Sequence, residues 1–299
     1  MLGRSTRTYK RVEGLPIEAD VYACPTSTPR PVVVWIHGGA LIFGRRGDVP
    51  PWLIDLCAAN MFVLVSIDYR LAPETELPEI VADVEDAVRW LRGDGAGAPP
   101  VDPQAIATVG ESAGGYLALT AGFRAEPRPA AIVSLWGYGE LTGSWYTEPS
   151  PHPVHHQIVM LEGEARRQVS GPAVADERHR DGDGYAFYQF CRQHGVWAQE
   201  VAGWDPHMEA ERFTPYQPLQ NISAGYPPTL LIHGTDDTDV PHDQSAMMEE
   251  ELRRHAVEHR LISVDGAEHG LAGAEVRTVR ETFAECDSFL RRHLLPGEP

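Results

Sequence analysis

The stretch Gly110-Glu111-Ser112-Ala113-Gly114-Gly115 lies between a short apolar run, Ala105-Ile106-Ala107-Thr108-Val109, and a run of small and apolar residues, Tyr116-Leu117-Ala118-Leu119-Thr120-Ala121. The first run reads as a buried strand and the second as a helix. Gly-x-Ser-x-Gly at a strand-to-helix junction is the sequence of a nucleophile elbow. So tight a turn holds its serine in strained backbone, and the flanking glycines remove the Cβ atoms that would collide. The turn exposes Ser112 Oγ and aims the next amide, Ala113 N–H, at whatever Oγ attacks. It also puts the reaction at a helix N-terminus, where roughly half an elementary positive charge favours a developing oxyanion.

The pattern around this elbow repeats on both sides. Thr8 to Val12 and Ile17 to Cys24 read as two strands joined by the turn Glu13-Gly14-Leu15-Pro16, and a Pro-rich linker, Pro25 to Pro31, follows. Val32-Val33-Val34-Trp35-Ile36 and Met61 to Ile67 are continuous apolar runs of the kind found in strands covered on both faces. Pro51 to Asn60 has helical character. Leu77 to Arg92 places Ile80, Val84, Ala87, Val88 and Leu91 at helical spacing, with acids opposite. After the elbow come a strand over Ala130 to Trp136, another at Pro228 to Ile232, a helix from His242 to Arg254, a strand at Arg260 to Val264 and a last helix from Glu275 to Leu294. Apolar strands alternating with amphipathic helices predict βαβ units and a mostly parallel sheet. The rhythm fails only from about 137 to 220, where prolines and the polar run Ala175 to Gly184 read as irregular. The expectation is one α/β domain over residues 1–299, interrupted by that excursion.

Composition narrows the function classes. A formal charge of −18 argues against nucleic acid and anionic membranes, since a phosphate backbone needs basic neutralisation that this chain lacks. Cys24, Cys57, Cys191 and Cys286 form no CxxC pair and read as free thiols, with no metal site. The histidines at 152, 155, 156 and 179 read as surface loop residues, because no ligand-spaced Cys or Glu accompanies them. Met1 to Arg7 lacks the apolar core of a secretory signal, and no apolar run approaches the ~18 residues of a membrane span. A cytoplasmic protein is expected.

A serine nucleophile needs a base, an acid to orient the base, and donors for the oxyanion. His269, in Gly266-Ala267-Glu268-His269-Gly270, follows the Arg260–Val264 strand. An acidic loop, His233-Gly234-Thr235-Asp236-Asp237-Thr238-Asp239-Val240-Pro241, follows the Leu230–Ile232 strand. The order Ser, acid, His is one in which such triads are built. The local sequence leaves Asp236, Asp237 and Asp239 all open as the acid, since any of them could instead stabilise the turn.

Four separated motifs carry a family resemblance: His37-Gly38-Gly39-Ala40, Asp68-Tyr69-Arg70-Leu71-Ala72-Pro73-Glu74, the elbow, and the pair formed by His233-Gly234…Asp237…Val240-Pro241 with Glu268-His269-Gly270. The chain resembles the α/β-hydrolase superfamily, in its esterase/lipase group of hormone-sensitive-lipase-like and acetyl- or feruloyl-esterase-like enzymes. The resemblance implies Asp237 as the acid and the N–H groups of Gly39, Ala40 and Ala113 as the oxyanion hole, with His37 bracing its loop. It departs from the family pattern where Ala40 replaces a common third Gly, and in the short stretch before His37, which leaves the excursion to supply a cover.

The expected activity is hydrolysis of a small-molecule carboxylic ester through Ser112, His269 and Asp237, with no cofactor. An amide or formamide hydrolase, a lactonase and a peptidase share the same site. A ligand-binding pseudo-hydrolase is the reading from another class, disfavoured because Ser and His are both present. The excursion is rich in aromatics, which would serve as a pocket wall or as a small local core. Trp145 and Trp204 are the two expected to govern access.

Overall fold

Continuous apolar runs cannot be satisfied by a sheet with one wet face, so these strands are covered on both sides. The computed structural model describes residues 2–93, 100–182 and 184–295; Met1 of the N-terminal segment and Asp183 of the 175–184 run lie outside the described residues. Eight strands, β1 (Gly3–Val12), β2 (Leu15–Ala23), β3 (Arg30–Ile36), β4 (Val63–Ile67), β5 (Val101–Glu111), β6 (Ala131–Leu135), β7 (Thr229–Gly234) and β8 (His259–Val264), form one sheet in the order β1-β2-β4-β3-β5-β6-β7-β8. β1 pairs β2, and β2 pairs β4, antiparallel; every other pairing is parallel.

The two-residue period of a strand separates the core into two layers. Val32, Val34 and Ile36 join one cluster with α2 (Leu77–Arg92) and α3 (Ala113–Arg124), while Val33 and Trp35 join another with α1 (Pro51–Asn60) and the last helix (Val276–Leu294). Helices on both faces of a mostly parallel sheet are what the strand–helix alternation predicts. Among the described residues no helix is long and apolar enough to cross a membrane.

Several boundaries move. β1 begins at Gly3, and the hairpin turns on Glu13 and Gly14 alone, both at positive φ (49° and 91°), so Pro16 falls inside β2 opposite Arg11. Arg30 and Pro31 belong to β3, not to a linker. The excursion is more regular than its prolines imply. It holds several short helical turns and one ten-residue helix, α4 (Tyr185–His194), whose Phe187, Tyr188, Phe190 and Cys191 are buried. Cys57, Cys191 and Cys286 are buried free thiols and Cys24 is half-buried.

Candidate active site

The loops that follow the parallel strands at their C-terminal ends carry every candidate residue. At the end of β5, Ser112 sits at φ 51°, ψ −119°, immediately before α3, and its N–H donates to Leu135 O of β6 at 2.8 Å. This is non-glycine backbone in a region L-residues avoid, held by the elements on either side. The glycines explain how the turn closes. A Cβ at Gly110 would lie 2.2 Å from Gly114 O, and one at Gly114 would lie 2.0 Å from Ile36 O at the end of β3.

The loop after β3 lies against the elbow, for a Cβ at Gly38 would stand 3.4 Å from Ser112 Cβ. Gly39 has φ 101°, and Ile42 N and Phe43 N both donate to its carbonyl, at 2.8 and 2.9 Å. Ala40 follows at φ 54°. Among the described residues, the N–H groups of Gly39, Ala40 and Ala113 donate to no protein acceptor. Two aromatics brace this loop. Tyr69, from the Asp-Tyr-Arg motif, stacks on His37 with ring centroids 4.2 Å apart and reaches His37 O and Gly38 O at 3.0 and 3.2 Å. Trp197, from the excursion, donates through Nε1 to Ala40 O at 2.9 Å. His37 itself is buried, with Nδ1 2.8 Å from Gly38 O, and burial depresses its pKa to about 4. It stays neutral, stacked on Tyr69 as a brace for the loop.

The acidic loop after β7 brings one carboxylate to His269. Asp237 Oδ2 lies 2.7 Å from His269 Nδ1 and 3.3 Å from His233 Nε2. Its Oδ1 accepts from the backbone N–H groups of Asp239 and Val240, at 2.9 and 2.8 Å. Burial alone would raise the Asp237 pKa, but the hydrogen bonds from His233 and His269 outweigh it and hold the carboxyl below its ordinary range. Because Nδ1 faces a carboxylate it carries the proton, which leaves Nε2 as the basic end of His269. Asp236 is exposed, bonded to Thr235. Asp239 lies on the other side of the ring, with Oδ2 3.7 Å from Nε2. Glu268 ties the two loops by accepting from Thr238 N and Oγ1 at 3.0 and 2.8 Å.

His233 is fully buried, between Ser245 Oγ at 2.7 Å and Val240 O at 2.9 Å, so it is a loop anchor. Burial works against a charged His269. The hydrogen bond to Asp237 and the charges of Asp239, Asp237 and Glu111 prevail, and its pKa is raised above the ordinary histidine value. Glu111, next to Ser112, is pushed up to about 7, chiefly by burial, with His269 opposing. Among the described residues no hydrogen bond joins Ser112 Oγ to His269 Nε2, an alignment that often tightens only on substrate binding.

A cavity of about 410 Å³ opens beside His269, walled by Phe43, Tyr185 and Tyr188 and floored by Asp239 and Glu268. Trp145 and Trp204 are not among its lining residues. Trp145 stacks on Tyr146 at 3.6 Å, and Trp204 meets Phe213 edge-on at 5.4 Å, so both belong to local cores. The reading of His155 as a surface residue also fails. It is 2% exposed and hydrogen-bonds Ser150 Oγ and Asp239 Oδ1 at 2.7 and 2.8 Å. No local signal distinguishes it from His152 or His156, as its charged partner, Asp239, lies in another loop. Among the described residues no group of His, Cys, Asp and Glu is placed to hold a metal.

Known proteins resemble this chain over nearly its whole length. The non-reducing polyketide synthase pkbA of Emericella nidulans is 28% identical over 87% of the chain, which spans only 12% of that protein's length. Among solved structures, a Staphylococcus aureus protein of unknown function superposes with a TM-score of 0.76 at 20% identity, covering 99% of this chain and 100% of its own. Esterase 2 of Thermogutta terrifontis, phosphonylated by sarin, gives 0.71 at 22% identity over 99% and 97% of the two chains. An acetyl ester-xyloside bifunctional hydrolase of Caldicellulosiruptor lactoaceticus gives 0.70 at 18% over 96% and 95%. A family model for the alpha/beta hydrolase fold matches residues 33–273, and the chain belongs to that family.

Proposed function

We propose that the protein is a serine esterase that hydrolyses a carboxylic ester of a small molecule. Ser112 Oγ attacks the carbonyl carbon while His269 Nε2 takes its proton. The tetrahedral oxyanion accepts hydrogen bonds from the N–H groups of Gly39, Ala40 and Ala113, worth about 2.7–4 kcal/mol per donor in comparable sites. Collapse expels the alcohol, protonated by Nε2, and water then cleaves the acyl-Ser112 by the same steps in reverse roles. Asp237 holds the Nδ1–H tautomer and stabilises the imidazolium. The excursion at about 137–220 acts as the cap, bracing Ala40 through Trp197 and walling the cavity with Tyr185 and Tyr188. The expected setting is the cytoplasm, with no cofactor and no nucleic-acid or membrane partner.

The observation that carries this reading is the 2.7 Å bond from His269 Nδ1 to a carboxylate fully committed to His and loop amides, in a chain that holds Ser112 in strained elbow backbone at the same end of the sheet. The test is the burst of p-nitrophenol from p-nitrophenyl acetate. A burst equal to the enzyme concentration, absent in Ser112→Ala, supports it, and no turnover at all overturns it. A second reading keeps the chemistry but takes an acyl thioester as donor. It is favoured by the match to a segment of polyketide synthases, and hydrolysis of an N-acetylcysteamine thioester faster than of the oxygen ester would select it.

A further inference from the structure

We propose that Asp239 is a specificity residue that accepts a hydrogen bond from a hydroxyl on the leaving alcohol, beside the ester oxygen. The enzyme would then prefer esters of hydroxylated alcohols to esters of plain alkanols, and disfavour those carrying a carboxylate at that place. The inference rests on the esterase reading and names its substrate class.

Asp239 is built into its position by groups that the hydrolytic mechanism does not use. Its Oδ1 accepts from His155 Nε2 at 2.8 Å and from the Tyr188 hydroxyl, and pairs with Arg192 at 3.4 Å. Arg192, buried against the Tyr146 ring, also donates to Asp239 O at 2.9 Å. All three donors come from the excursion. Burial opposes ionisation here, but the His155 hydrogen bond and the charges of His269 and Arg192 outweigh it, so the group is a firm carboxylate.

Its second oxygen is different. Oδ2 lies 3.7 Å from His269 Nε2, the side chain is 25% exposed, and it lines the cavity beside the ring. In the competent state Nε2 is unprotonated, because Nδ1 carries the proton to Asp237 and Nε2 must accept from Ser112. At that moment His269 has no hydrogen to offer Oδ2, and among the described residues no other donor reaches it. The oxygen is therefore a charged acceptor turned toward the substrate.

What meets it follows from the reaction. The leaving oxygen must come within about 2.6–3.2 Å of Nε2 to take its proton. Oδ2 stands beside that same nitrogen, so it faces the first carbons of the alcohol, and a hydroxyl on the carbon next to the ester-bearing one can donate to it. A methyl at that place would bury the charged acceptor unpaired, and a buried polar group left without its partner is a strong ground for rejection. A carboxylate would add to the negative charges of Asp239 and Glu268 lining the cavity, with Asp237 buried behind them, while the Nη1 of buried Arg192 is already engaged by Asp239 and the Tyr188 hydroxyl.

The test compares 2-hydroxyethyl acetate with its isostere propyl acetate and with acetoxyacetate, using p-nitrophenyl acetate as the reference. For the wild type, kcat/KM for the hydroxylated ester should exceed that for propyl acetate by about tenfold or more, the worth of one hydrogen bond to a charged group. In Asp239→Asn the donors at Oδ1 hold the amide oxygen there and turn the NH2 into the cavity. The preference for the hydroxylated ester over acetoxyacetate should then fall by about tenfold or more. A merely structural Asp239 would scale all substrates together, which would overturn the assignment. A wild-type ratio near one overturns it whether or not the variant folds. Failure on every ester, p-nitrophenyl acetate included, overturns the esterase reading and this inference with it. Turnover of p-nitrophenyl acetate with a ratio near one overturns the inference alone.

Discussion

Replacing Asp237 by Asn changes one atom and should nearly abolish turnover, for a reason that can be worked from the contacts of its two oxygens. Oδ1 accepts from two backbone N–H groups, those of Asp239 and Val240, at 2.9 and 2.8 Å. Neither can turn into an acceptor, so the amide oxygen of the variant side chain would have to occupy that place. The NH2 group must then take the place of Oδ2, 2.7 Å from His269 Nδ1. Facing a donor, Nδ1 becomes the acceptor and the proton moves to Nε2, the nitrogen that has to receive the proton of Ser112. Such a tautomer switch cost about 10⁴ in kcat in a serine protease, and that ratio corresponds to roughly 5.5 kcal/mol of barrier. The same NH2 also confronts His233 Nε2, so some loss of stability is expected. Steady-state hydrolysis of p-nitrophenyl acetate, with thermal unfolding to confirm a folded variant, is the assay. Asp236→Asn, at an exposed site, should stay near wild type. A folded Asp237→Asn within tenfold of wild type, or a collapse in Asp236→Asn instead, would refute the reasoning.

Further expectations concern the neighbours of the pair. The pKa of His269 is raised, and its neutral form is the active one, so kcat/KM on the aryl ester should rise with pH through a midpoint above the unperturbed ~6.5. Asp239→Asn removes a charge that favours the imidazolium and should move the midpoint down; Glu111→Gln should move it the same way. A pH profile with no shift in either variant would contradict the electrostatic account. Gly39→Ala places a Cβ 2.0 Å from Phe43 O, so the loop must shift; kcat should fall about 10²–10³-fold, the loss of one oxyanion donor, in a protein that still unfolds cooperatively. Trp197→Phe keeps the ring packing but loses the bond to Ala40 O, and kcat should drop about fivefold to tenfold with KM little changed. Trp204→Ala should cost about 3–5 kcal/mol in urea unfolding while leaving the preference among esters alone.

The sheet was legible because its signals are local. The central parallel strands β3, β4, β6 and β7 are short, mainly apolar runs, and the elbow's glycines announce a close approach of backbone that the sequence alone makes necessary. The Asp237–His269 contact follows from where two loops leave adjacent strands, β7 and β8, an arrangement the strand order implies. What could not be read is what depends on partners far apart in the chain. His155 and Asp239 are 84 positions apart, and nothing near His155 marks it as buried. Trp197 reaches Ala40 from the excursion, yet its sequence neighbourhood is that of an ordinary short helix. The aromatics misled for the same reason. Composition places many of them in the excursion, but packing sends Trp145 and Trp204 into local cores and leaves the cavity wall to Tyr185, Tyr188 and Phe43, the last from the loop after β3.

The central claim is that Ser112 is the nucleophile, and covalent labelling tests it most directly. Incubation with a p-nitrophenyl alkylphosphonate, followed by intact mass and peptide mapping, should give one adduct per chain, on Ser112, with activity lost in proportion to labelling. The Ser112→Ala variant should take up no label and show no burst. An adduct on another residue, or wild-type turnover in Ser112→Ala, would contradict the account.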